Sequence, residues 1–108
     1  MKNTNDNDNK NEIVVHLDPL IKDIVDDFLQ HRRENASAIS EALETGDLEI
    51  VGDIGHDIEG TAGAFGFKEM GLIGRSLQQA ASEASIGEIE ILSEELTSYL
   101  SRLRVVYE

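Results

Sequence analysis

From residue 19 to residue 106 apolar side chains return every three or four positions except across the polar stretch 30–35, and the recurrence restarts at three breaks: Gly46-Asp47, Gly66 and Ser85. A 3.6-residue period resumed in this way makes four amphipathic helices, each with one face that must be buried. The first stripe is Ile21, Ile24, Val25, Phe28, Ala36, Ile39 and Leu43. The second is Leu48, Val51, Ile54, Ile58, Ala62 and Phe65. Met70, Ile73, Leu77, Ala80, Ala81 and Ala84 make the third, and Ile89, Leu92, Leu96, Leu100, Leu103 and Val106 the fourth. Asp18-Pro19 has the cap-then-proline order of a helix start, Gly46 closes that helix, and Asp47 caps the next. Ser85 and Glu88 have the spacing of a capping box. Helices are therefore expected near residues 18–45, 47–65, 67–84 and 86–107, and no window reads as a strand. Connections this short predict an all-α, up-down-up-down antiparallel four-helix bundle over residues 13–108. The opening MKNTNDNDNKNE is polar after its first residue. It cannot bury enough surface to offset its ordering entropy, so residues 1–12 are expected to be a disordered tail.

Charge and cysteine usage narrow the function. The formal net charge is −13, from 22 acidic residues against nine Lys and Arg. Such a surface repels phosphate backbones and anionic lipid, which argues against nucleic-acid and membrane-surface partners. No cysteine is present, so thiol nucleophiles, thiolate metal sites and disulfides are excluded. With no apolar run near ~18 residues and no basic-then-apolar leader, the expected compartment is the cytoplasm.

The second helix is the unusual one. It carries Gly52, Gly55, Gly60 and Gly63, and four interior glycines cost about 4 kcal/mol relative to alanine. At about 100° per residue, its apolar residues gather in one sector. His56 falls roughly 150° from the centre of that sector, toward solvent. Gly52, Gly60 and Gly63 share its face at offsets of four, four and seven, where side chains would otherwise meet the imidazole. Gly55 leans toward the core and suits close helix contact. The glycines on the outer face serve to uncover His56. His16, ahead of the first helix, and His31, beside Arg32 and Arg33, have no such clearing and read as ordinary surface residues.

The run His56-Asp57-Ile58-Glu59-Gly60-Thr61-Ala62-Gly63-Ala64-Phe65-Gly66-Phe67 resembles the signature of histidine phosphotransfer (HPt) domains. That signature has a histidine, an apolar residue two on, usually a lysine three on, then Gly-Ser/Thr, small residues, and a second glycine ten on. Phe67-Lys68, Gly46-Asp47 and the Phe28…Arg32-Arg33 region fit the likeness, which covers about residues 18–107. It implies a phosphorelay carrier: His56 accepts a phosphoryl group from an aspartyl phosphate of one receiver domain and passes it to another. It further implies that response-regulator receivers and a hybrid histidine kinase are the partners, and that the receiver supplies Mg²⁺. The carrier would need no cofactor of its own and would work as a monomer. One position departs from the pattern. Glu59 stands where the family usually has lysine, and a carboxylate there would repel phosphate. Lys68 and Arg75 are the candidates to supply the missing positive charge.

The residues themselves agree with a nucleophile rather than a kinase. A neutral imidazole nitrogen is a competent nucleophile. No phosphate-binding loop or kinase signature is present, so no ATP-dependent activity is expected. A di-iron reading fails on Asp53-x-x-His56, which occurs once and places its histidine outward. The remaining alternative is a scaffold bundle that binds partners without chemistry.

Overall fold

The computed structural model describes residues 11–108. The order is β1 (Ile13–Leu17), a 3₁₀ turn (Pro19–Ile21), α1 (Lys22–Thr45), α2 (Leu48–Ala64), α3 (Lys68–Ser82), α4 (Ile86–Arg102) and β2 (Leu103–Tyr107). The four helices form the expected bundle, each packed on its sequence neighbour, with α4 returning to α1. Most of the expected tail, residues 1–10, lies outside the described part.

The helix starts and stops follow local chemistry. Asp18 accepts from the Leu20 N–H at 2.9 Å, and Pro19 opens the 3₁₀ turn. Gly46 ends α1 in the left-handed region at φ 75°, and the Asp47 carboxylate accepts from the Ile50 N–H. Gly66 repeats the left-handed stop after α2 at φ 86°. Two expectations fail here. Ala84 is not core: it is exposed in the same left-handed position at φ 54°, ending α3 where a glycine would carry no Cβ penalty. Ser85 is the cap residue of α4, but its side chain makes no capping hydrogen bond, so the capping box does not form.

The all-α bundle holds, but the expectation that no window forms a strand does not: β1 and β2 pair in parallel, Ile13 opposite Leu103 and Leu17 opposite Tyr107. The fourth helix thus stops at Arg102 rather than near residue 107. Residues 13, 15 and 17 of β1, with 103, 105 and 107 of β2, lay one face of the pair against the helical core. That burial explains why so short a sheet holds, since two strands alone are marginal in water. Tyr107 also donates to Asp26 on α1, which in turn accepts from Lys22 at 2.7 Å.

The core is built from Val25, Ile39, Val51, Ile58, Met70, Leu77, Ile89 and Leu96, all fully enclosed. Phe67 and Tyr99 join it although neither lies on an expected stripe, whereas Ile24, expected inside, is 59% exposed. Phe28 of α1 stacks on Phe67 at 5.7 Å and meets Phe65 at 5.1 Å, joining α1 to the C-terminal end of α2. Arg32 completes that joint. It is buried, lies 5.0 Å over the Phe28 ring, and donates to Asp57 at 2.9 Å and Thr61 at 3.0 Å on α2. A guanidinium out of water needs such partners to offset its desolvation.

Candidate functional site

The site begins with how α2 and α3 approach each other. A β-carbon on Gly55 would lie 2.6 Å from the Gly74 carbonyl oxygen and 2.9 Å from the Gln78 nitrogen. On Gly74 it would lie 2.7 Å from both the Glu59 nitrogen and the Gly55 oxygen. These are backbone atoms with little freedom to yield, so only a glycine pair lets the two helices come this near. The inward role expected of Gly55 is therefore met, and Gly74 is its counterpart on α3. Close approach is what brings side chains of α3 alongside His56.

His56 is exposed on α2. A β-carbon on Gly60 or Gly63 would meet nothing within 4 Å, so the ground on the C-terminal side of the imidazole is open, as the spacing suggested. Gly52 differs from expectation. It is half-buried, and its β-carbon would rest 3.7 Å from Ala81 of α3, so it flanks the seam and not the open face.

The imidazole is not solitary. Its Nδ1 lies 3.4 Å from Oε1 of Gln78, and the Nε2 of Gln78 donates to Oε1 of Glu59. The other Glu59 oxygen lies 3.9 Å from Nε of Arg75, whose side chain is largely exposed. Glu59, Arg75, Gln78, Gln79 and Ser82 line a shallow surface depression between α2 and α3. Of the two cations singled out in the sequence, Arg75 comes to this cluster. Lys68 sits exposed at the first position of α3 and makes no ion pair among the described residues.

Gln78 is the residue that sequence reasoning missed. Nothing in the 56–67 run points to it, because it belongs to another helix and reads as one more polar position. The available signal was its offset of one turn from Gly74, on the seam that Gly55 also marks. Asp57, next to His56 in the chain, could have been its acid–base partner, but the structure gives it another. It turns away from the imidazole to anchor Arg32, fixing the neighbouring backbone of α2.

The other histidines behave as surface groups. His16 Nδ1 meets a Glu108 carboxylate oxygen at 2.9 Å, and His31 lies 3.9–4.0 Å from Asp27 and Glu34 on its own helix. Among the described residues no His, Asp and Glu cluster could hold a metal ion. No helix there is long and apolar enough to cross a membrane.

Comparison with curated proteins and with solved structures gives no match. The family described as the Hpt domain matches residues 23–105, a span that contains all four helices but for their outermost residue in α1. The match covers most of the chain, and its members carry phosphoryl groups on histidine without kinase activity of their own, in exchange with receiver domains and kinases. With four antiparallel helices and an exposed histidine on the second, this chain belongs to the Hpt domain family.

Proposed function

We propose that His56 is the phosphoacceptor and that the chain relays a phosphoryl group between the aspartates of two receiver domains. One observation carries the reading: an exposed imidazole on α2 with open ground at Gly60 and Gly63, where a receiver active site can close over it. The Nε2 lone pair attacks the phosphorus of the aspartyl phosphate. A P–N bond forms as the acyl P–O bond breaks, and the aspartate leaves as a carboxylate. The product is a phosphoryl group on an imidazolium ring whose Nδ1 keeps its proton. The reverse sequence delivers the group to a second receiver. Mg²⁺ and the remaining catalytic groups come from the receiver, so a held nucleophile and a docking face are all this chain must provide. Arg75, facing Glu59 across the depression, supplies positive charge in place of the family's usual lysine.

Incubation with a phosphorylated receiver should give a label that is acid-labile and base-stable, as phosphohistidine is. His56→Gln should take up none. Label retained by that variant would remove His56 from this role, and labelling from ATP alone would point to a kinase fragment.

A further inference from the structure

Glu59 is the one position in the run around His56 that opposes the family pattern, and its surroundings give it a use. A carboxylate only accepts hydrogen bonds, whereas an amide donates from one end and accepts at the other. With Glu59 Oε1 against one end of the Gln78 amide, that end must be the NH₂ group. The opposite orientation would set two acceptors against each other. The carbonyl end is then turned to His56 Nδ1 at 3.4 Å, and a carbonyl can only accept. Nδ1 must carry the ring proton to make that contact, which leaves the lone pair on Nε2. A contact of 3.4 Å is long for a hydrogen bond, and such bonds at reacting groups commonly tighten when the partner arrives.

We infer that Glu59 is a positioning residue: through the Gln78 amide it holds the proton of neutral His56 on Nδ1 and makes Nε2 the nucleophile. The inference rests on His56 being the phosphoacceptor. It also gives the carboxylate a place in the transfer. When Nε2 bonds to phosphorus the ring becomes cationic while Nδ1 keeps its proton. That positive charge is met by the Gln78 carbonyl and, one hydrogen bond further, by the Glu59 carboxylate. The logic is that of a carboxylate behind a catalytic histidine, which orients the ring and stabilises the imidazolium. Here an amide stands between the two. Arg75, at 3.9 Å from the second Glu59 oxygen, leaves the first oxygen to the amide.

Long-range ¹⁵N–¹H correlation spectra of the labelled full chain, taken where imidazole is neutral, read the tautomer directly. Wild type should show His56 protonated on Nδ1. Glu59→Gln offers Gln78 a partner that can donate or accept, so the amide loses its fixed direction. Gln78→Leu removes the acceptor. Both variants should move His56 toward the Nε2–H form usual for imidazole in water, and transfer from a phosphorylated receiver should slow several-fold. Glu59→Asp, which keeps a carboxylate, should hold more of the Nδ1–H form than Glu59→Gln. A wild-type His56 already protonated on Nε2, or a tautomer unmoved by Glu59→Gln, would overturn the inference. Failure of the phosphoacceptor reading looks different: His56→Gln would still take label, while the wild-type tautomer would remain as described.

Discussion

α2 is held to its two neighbours in opposite ways. Toward α3 it offers Gly55 against Gly74, and backbone meets backbone with no side chain between. Toward α1 the joint is made by long side chains: Phe28 among Phe65 and Phe67, and Arg32 reaching to Asp57 and Thr61. The first joint fixes a distance, because backbone atoms cannot give way. The second fills a volume, and side chains can adjust rotamers to keep it filled. The cluster of His56, Gln78 and Glu59 spans the first joint. Its geometry therefore depends on the absence of two β-carbons more than on any residue it contains.

Substitutions should separate the two joints. Gly74→Ala is expected to have the largest effect. Its methyl collides with two backbone atoms, and overpacking of that kind costs about 3 kcal/mol, only partly offset by better helix propensity. Denaturant midpoints should fall accordingly, and transfer should fall with them as α3 carries Gln78 away from His56. Asp57→Ala comes next. It leaves the Arg32 guanidinium buried with Thr61 alone, and losing a hydrogen bond to a charged group costs about 2 kcal/mol. Because the backbone joint is untouched, the surviving folded fraction should transfer at nearly the wild-type rate. Equal damage to transfer from both variants would break the distinction.

Gly60→Ala should act in the other direction. Its methyl meets nothing, so the helix gains up to about 1 kcal/mol in thermal or denaturant unfolding. The same methyl stands one turn from His56, where the proposed relay brings an aspartyl phosphate, so transfer should slow, and slow further in Gly60→Gln. A scaffold bundle would show the gain without the loss. Ala84→Gly is the smallest change. Relief of the left-handed alanine outweighs glycine's added freedom in the unfolded chain by about 0.5 kcal/mol. Transfer should not change, since Ala84 lies beyond the end of α3 and outside the cluster.

The helices were legible because burial on one face imposes a 3.6-residue period that any reader can count. The exposure of His56 was legible because glycine is costly inside a helix, so several of them around one side chain demand a reason. The strands were not. Leu103 and Val106 continue the period set by Leu96 and Leu100, and Ile13-Val14-Val15 shows no apolar–polar alternation. Their pairing depends on the two ends of the fold meeting, which no local window contains. The burial of Arg32 was hidden by its neighbours, since His31 and Arg33 make the whole stretch look solvated. Gln78 was invisible for a related reason. Its importance is a distance across the α2–α3 seam, and a single helix wheel has no such coordinate.

The strand pair has a mechanical consequence. The chain enters β1 at Ile13 and leaves β2 at Tyr107, and because the strands run parallel these two points lie at opposite ends of the ladder. Tension applied through whatever is attached on either side would therefore pull the strands past each other lengthwise. All the rungs would share that load at once instead of opening one after another like a zipper. The helices, and the spacing across which His56 faces Gln78, sit behind this clamp and stay unloaded until it slips.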